Sequence, residues 1–329
     1  MTLGGAENLE SDRPGRTARS ELARQFVGPD GCRVSYLTVR HRAAGPTILL
    51  IHGSGVSAGY WVNQLLGLGR ALRVVAVDLP GHGASDPIEG ASVETYAEAT
   101  ARFLELLDAG PVIVAGHSLG GAVAIALAAR HPEAVTGLVL LSSCAKLPPV
   151  DNSWERWLAY LPGALRKVLF FSMAKKILFA PGASSRAVSL GMQELRSCRP
   201  ETILKDVLAA RTMDLTDRAA RLEVPTLLLC GSRDRLTPPT LSEQLSVLIP
   251  RARLRTIEGA GHMLLLEVPE RVNQEILTFA RSILAPIEVP SVDAVGGRRG
   301  RSLARRLLDW ARGVRSGMAV RETGSPPGG

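Results

Sequence analysis

The chain has 329 residues, 46% of them hydrophobic, enough to bury the core of one large domain with an insertion, or of two domains. Its formal charge is +8, and half of that excess lies between Pro286 and Gly329, where eight arginines face Glu288, Asp293, Asp309 and Glu322. The remainder forms no Arg/Lys stripe of the kind a nucleic-acid groove needs, so nucleic acid is excluded as a partner. The four cysteines, Cys32, Cys144, Cys198 and Cys230, form no C-x-x-C pair and have no histidine at metal-ligand spacing. They read as free thiols in a reducing compartment, with no metal site.

Residues 1–24 are polar and mixed in charge, which predicts a disordered segment. They hold no apolar h-region, and no uncharged apolar run in the chain is long enough to span a bilayer. Both features point to the cytoplasm. Strands and helices then alternate. Apolar runs bounded by turn residues predict strands at 33–40, 47–51, 73–77, 112–115, 137–141, 226–230 and 253–257. Helical patterns fall at 60–72, 93–107, 120–130, 239–248 and 269–284. This alternation predicts βαβ units and a mostly parallel sheet. Ile48-Leu49-Leu50-Ile51 and Leu227-Leu228-Leu229 are apolar at every position, as burial under helices on both faces requires.

The series divides into a first core part (25–145), an insertion (146–220) and a second core part (221–285). The insertion contains no convincing strand. Trp154, Trp157, Leu158, Leu161, Phe170, Phe171, Met173 and Phe179 make it apolar, with Lys167, Lys175 and Lys176 interspersed. It reads as a helical lid, because an insertion at a strand's C-terminal end sits over the ligand face of an open α/β sheet. Residues 286–329 begin as a Pro/Gly linker. Leu303, Leu307, Trp310 and Val314 then repeat at helical spacing among Arg305, Arg306 and Arg312. A short basic amphipathic helix of this kind can dock on anionic lipid, dock on the protein itself, or stay a partly ordered appendage.

Gly116-His117-Ser118-Leu119-Gly120 matches the G-x-S-x-G pattern, and so does Gly55-Val56-Ser57-Ala58-Gly59. Context decides between them. The chemistry needs a serine on a sharp turn between a buried strand and a helix, with glycines that let the two approach. Ser118 lies three residues past a predicted strand and is followed by Gly120, Gly121, Ala122, Ala124 and Ala126. Ser57 lies six residues past its strand, with Tyr60 and Trp61 crowding the next helix. Ser118 is therefore the predicted nucleophile.

A serine hydroxyl needs a base. Of six histidines only His262 lies beyond residue 131, in a glycine-flanked loop after the last strand. The imidazole in turn needs a carboxylate on its other nitrogen. Asp234 follows the preceding strand, and strand ends on one edge of a parallel sheet converge. The rival position after strand 137–141 holds no carboxylate. An oxyanion hole needs backbone N–H donors. The predicted donors are Leu119, just after the nucleophile, and Ser54 in His52-Gly53-Ser54-Gly55, the turn after the first apolar strand.

With these residues in hand, the sequence resembles the α/β-hydrolase family. The matching pieces, in order, are residues 51–55, Asp78-Leu79-Pro80-Gly81-His82-Gly83-Ala84-Ser85, the Gly116–Gly120 elbow, Gly231-Ser232-Arg233-Asp234 and Gly261-His262. The resemblance covers about residues 25–285. It implies an eight-stranded sheet with one antiparallel strand, a helical cap in the insertion, and the Ser118/Asp234/His262 assignment, with no metal or organic cofactor. Ser118 sets aside relatives with Asp or Cys at the elbow. Carbon–carbon bond hydrolases of ring-cleavage products share the oxyanion loop followed by Trp61. They typically carry Asn before the nucleophile and Trp after the histidine, where this chain has His117 and Met263, so they rank second. A polar cap residue, Arg186 or Arg196, would favour them. Cofactor-free haloperoxidases share the triad. A non-catalytic binding module ranks last, since all three triad residues are present. The expected substrate is a hydrophobic ester or a lipid, with weak contact to a membrane surface through the insertion or the tail.

Overall fold

The computed structural model describes residues 21–29, 32–40, 46–149 and 163–284. Residues 1–20, 30–31, 41–45, 150–162 and 285–329 lie outside it, and with them Trp154, Trp157, Leu158, Leu161 and the expected basic amphipathic helix of the tail.

Eight strands form one sheet: β1 (Leu22–Val27), β2 (Val34–Val39), β3 (Thr47–Ile51), β4 (Arg73–Val77), β5 (Val112–His117), β6 (Val135–Leu141), β7 (Thr226–Gly231) and β8 (Ala252–Ile257). Their order is β1-β2-β4-β3-β5-β6-β7-β8, and β2 alone runs opposite to the other seven. This is the α/β-hydrolase arrangement. The strands are apolar throughout because both faces are covered. On β3, Leu49 and Ile51 enter one buried cluster while Ile48 and Leu50 enter the other, and β5 repeats the pattern with Val112 and Val114 against Ile113 and Ala115.

Helices α1 (Val62–Leu68) and α10 (Pro269–Leu284) cover one face; α2 (Val93–Leu106), α3 (Leu119–Arg130) and α8 (Pro239–Leu248) cover the other. A short helix, α9 (Leu264–Glu267), precedes α10. Ser92 starts α2 with a reciprocal capping box to Thr95. Between β6 and β7 the described residues form only helices: α4 (Gly163–Leu178), α5 (Ser185–Ser197), α6 (Pro200–Thr212) and α7 (Thr216–Ala220).

One boundary is corrected. Residues 22–24, expected to belong to a disordered segment, lie in β1, which begins at Leu22 and pairs with β2 along its whole length. Its polar residues have partners far along the chain. Arg24 pairs with the buried Asp78 and Ser35, and Gln25 accepts from the Tyr36 hydroxyl at 2.5 Å.

Candidate active site

The chain leaves β3 toward β4 on one side and leaves β5 toward β6 on the other, so the strand order reverses between β3 and β5. In open α/β sheets the ligand crevice lies at the carboxyl ends of strands at such a switch point. Ser54 follows β3, Ser118 follows β5, Asp234 follows β7 and His262 follows β8.

Ser118 stands at φ 52°, ψ −118°, a backbone conformation that L-residues rarely adopt, between the end of β5 and the start of α3. The turn is held by the Ser118 amide donating to the Leu141 carbonyl at 2.8 Å and the Gly121 amide donating to Ser118 at 2.9 Å. Space is as tight as the elbow geometry implies. A Cβ on Gly116 would lie 2.2 Å from the Gly120 carbonyl oxygen, and one on Gly120 would lie 2.3 Å from that of Ile51. Ser118 is half-buried, and among the described residues its hydroxyl makes no hydrogen bond.

His262 Nδ1 lies 2.9 Å from Asp234 Oδ2. The carboxylate can only accept, so Nδ1 carries a proton, and in the neutral imidazole of this tautomer the lone pair is on Nε2. Asp234 Oδ1 accepts the amides of Leu236 and Thr237, each at 2.9 Å. The Thr237 hydroxyl stands between Asp234 Oδ2 (2.9 Å) and the Ser142 carbonyl (3.0 Å). Burial alone would raise the Asp234 carboxyl. The His262 imidazole and these hydrogen bonds outweigh it and hold the group at about 2, so it is ionised at neutral pH.

His117 ties the two halves together. Its Nε2 donates to the His262 carbonyl at 2.9 Å, and the two rings meet tilted by 56° with 4.8 Å between centroids. Burial, and then the neighbouring His262, hold the His117 imidazole down at about 3 against an ordinary 6.5. The unfolded chain therefore takes up a proton below about pH 6.5 that the folded chain refuses until about pH 3. This makes His117 a source of stability that is full above pH 6.5 and shrinks as the pH falls. His117→Gln should accordingly flatten the loss of stability between pH 6 and pH 4.5 by about 1.4 kcal/mol per pH unit, measured by urea denaturation. Equal slopes for the two proteins would contradict the assignment.

The loop after β3 packs directly on the elbow. A Cβ on Gly53 would sit 2.9 Å from His117 Nδ1 and 3.2 Å from Ser118 Cβ. His52 is not free to do chemistry. Its Nδ1 donates to the Gly53 carbonyl at 2.8 Å and its Nε2 accepts from the Leu79 amide at 3.0 Å. Burial and the adjacent His82 lower its imidazole to about 4, so it is neutral. With the Gly53 carbonyl drawn toward His52, the trans peptide points the Ser54 N–H the opposite way. Among the described residues neither the Ser54 nor the Leu119 amide is taken by a protein acceptor.

The second G-x-S-x-G serine has another role. Ser57 Oγ caps the 3₁₀ turn Ala58–Trp61 through the Gly59 amide and donates to Glu194 of α5 at 2.7 Å. It therefore holds the insertion to the loop after β3.

Several groups here had no usable sequence signal. Thr237 is one, and Glu267 is another. Glu267 Oε2 accepts the amides of Gly261 and Ala180, each at 3.1 Å, which fixes the histidine loop to the end of α4. Burial holds this carboxyl above the ordinary range. The apolar residues expected to form a pocket are divided. Phe179 belongs to the core, Phe170 is exposed, and Phe171 lines a groove of about 570 Å³ on α4 and α5 with Val188, Met192 and Arg196. Arg196 stacks over Phe171 and Arg186 is exposed. Neither this groove nor a smaller one of about 240 Å³ beside Gly81 and Thr202 is lined by Ser118, Asp234 or His262. All four cysteines are free thiols, and no group of metal-binding side chains occurs among the described residues. No helix among the described residues is long and apolar enough to cross a membrane.

Comparison with known proteins agrees with this architecture. The alpha/beta hydrolase family model matches residues 48–275. A pimeloyl-[acyl-carrier protein] methyl ester esterase of Neisseria meningitidis serogroup A is 31% identical over 247 residues, 72% of this chain and 77% of the relative. A thermophilic esterase from Thermogutta terrifontis superposes with a TM-score of 0.69 at 27% identity, covering 79% of this chain and 99% of that one. A membrane phospholipase A described as a bacterial virulence factor gives 0.68 at 27% identity, over 82% and 90%. The chain belongs to the alpha/beta hydrolase family and is a hydrolase.

Proposed function

We propose that this hydrolase cleaves carboxylic esters with a hydrophobic acyl or alcohol group through an acyl-enzyme on Ser118. The observation that carries the reading is the Asp234–His262 pair. An ionised, fully hydrogen-bonded carboxylate fixes the proton on Nδ1 and leaves Nε2 as a base at the strand end whose loop is tied to the Ser118 elbow.

In this reading His262 Nε2 takes the Ser118 proton as Oγ attacks the acyl carbon. The tetrahedral oxyanion receives the free amides of Ser54 and Leu119. Collapse expels the alcohol, which takes the proton from His262. Water then enters, His262 removes its proton, and the acid leaves with Ser118 restored. The absence of a hydrogen bond on Ser118 Oγ is in keeping with a site that tightens when substrate binds. The apolar helices of the insertion, and the ester-hydrolysing relatives, support a hydrophobic ester. The insertion would act as the lid, and its exposed Val168, Phe170, Leu204 and Leu208 suit an apolar substrate or a lipid surface.

A p-nitrophenyl ester series from acetate to palmitate tests the substrate class. The expected result is turnover with an optimum at medium or long chains. No turnover on any member, with turnover of a vinylogous diketone, would move the reading to the carbon–carbon bond hydrolases.

A further inference from the structure

Helix α6 is turned against its own polarity. It buries Thr202, Asp206 and Ala209 and exposes Leu204 at 71% and Leu208 at 60%. The buried residue that matters is Asp206, whose side chain is fully enclosed, as is that of its partner His82. Its Oδ2 accepts the Gly55 amide at 3.1 Å and meets His82 Nε2 at 2.9 Å. Its Oδ1 accepts the Tyr96 hydroxyl at 3.0 Å. The other ring nitrogen of His82, Nδ1, lies 3.2 Å from the Pro80 carbonyl oxygen. A carboxylate buried this deeply is costly unless every partner is satisfied, and here three donors surround it.

The Gly55 contact links this network to the site. Two peptide planes flank the Cα of Ser54. The upstream plane is held by His52 on the Gly53 carbonyl. The downstream plane is held by Asp206 on the Gly55 amide. Gly55 sits at φ +71°, a left-handed conformation that favours glycine, and its amide is taken by α6. Thus the insertion supplies one of the two clamps on the residue whose N–H faces the oxyanion. The N-terminal turn of α6 reinforces the grip, with Arg199 and Thr202 both donating to the Gly81 carbonyl, at 2.6 and 3.2 Å.

We propose that Asp206 is a positioning residue, through which the seating of helix α6 sets the direction of the Ser54 oxyanion donor. This rests on the serine-hydrolase reading above. A donor misaimed by an ångström stabilises the tetrahedral state poorly while leaving ground-state binding largely intact. The role predicts a loss in kcat and not in KM.

The test compares wild type, Asp206→Ala, Asp206→Asn and Tyr96→Phe on one p-nitrophenyl ester. Active sites are counted with a fluorophosphonate, and the affinity of a boronic acid, which forms a tetrahedral adduct on a nucleophilic serine, is measured alongside. Asp206→Ala should lower kcat per labelled site about 100-fold, with KM changed less than about threefold. Boronate affinity should weaken in parallel with kcat. Asp206→Asn keeps one acceptor oxygen and should recover part of the loss. Tyr96→Phe leaves the Gly55 contact in place and should cost less than about tenfold. Should Asp206→Ala not fold, the other two variants carry the same test. An unchanged kcat per labelled site, or a fall explained wholly by fewer labelled sites, overturns the proposal in favour of a purely structural role. A wild type that neither turns over nor takes the label overturns the serine-hydrolase reading and this inference together.

Discussion

Ser118→Ala is expected to lower kcat/KM for a good ester substrate by about 10⁴- to 10⁶-fold while leaving the fold intact, because base and acid have nothing to act on without the hydroxyl. The residue also carries backbone strain at φ 52°, and that strain is unrelated to the hydroxyl. Alanine inherits the strain and glycine does not. Ser118→Gly should therefore be as inactive as Ser118→Ala but more stable by about 1–2 kcal/mol, read from urea denaturation. Equal stabilities would contradict a strained elbow. Retained activity in either variant would place the chemistry elsewhere.

Gly120→Ala is expected to be among the most damaging single-methyl changes in the described core. The new Cβ would lie 2.3 Å from the Ile51 carbonyl oxygen and 2.4 Å from that of His52. Both are backbone atoms, so no side chain can swing aside. Either α3 lifts from the sheet or the loop after β3 shifts, and both movements open the site. A loss of at least about 3 kcal/mol, or failure to accumulate folded protein, is the expected result. Gly90→Ala is the control. Gly90 has positive φ, +62°, which the helical Gly120 lacks, and its Cβ would meet nothing within 4 Å, so only the strain, about 1 kcal/mol, should appear. Similar losses in the two variants would mean that close helix–strand approach is not what Gly120 provides.

The parts of the fold that were legible are those in which one physical demand acts on consecutive residues. The strands 47–51 and 226–230 are apolar at every position because both sheet faces are covered, and they appear at nearly the predicted places. Ser118, Asp234 and His262 stand out in the sequence because each follows a strand end, and the structure brings Asp234 and His262 to 2.9 Å of each other. The decoy Ser57 was separable for the same reason, as its distance from a strand and the bulky Tyr60 and Trp61 beyond it fit no sharp elbow.

What escaped the sequence depends on partners distant in the chain. Strand β1 carries Arg24 and Gln25, which look like solvated loop residues until Asp78 and Tyr36 are seen to receive them. No pattern in the sequence marks the face that helix α6 buries, and its Leu204, Val207 and Leu208 are exposed. The structure places those residues outward because Asp206 finds Gly55, His82 and Tyr96 inside. Thr237 and Glu267 lie close to Asp234 and His262 in sequence, yet no spacing rule marks them, since each is chosen by the position of backbone amides or a carbonyl. In the sequence His117 stands out only as a departure from the carbon–carbon bond hydrolases. Its hydrogen bond to the His262 carbonyl shows it to be the tie between elbow and base loop.

The most direct test of the central claim is to trap the covalent intermediate. Wild-type protein is mixed with a p-nitrophenyl ester, quenched in acid within the first turnovers, digested and mapped by mass spectrometry. The account predicts one acyl group per chain on the peptide containing Ser118, absent in Ser118→Ala and slow to form in His262→Ala. An ester-hydrolysing wild type whose acyl group sits on another residue, or that never acylates, would contradict it.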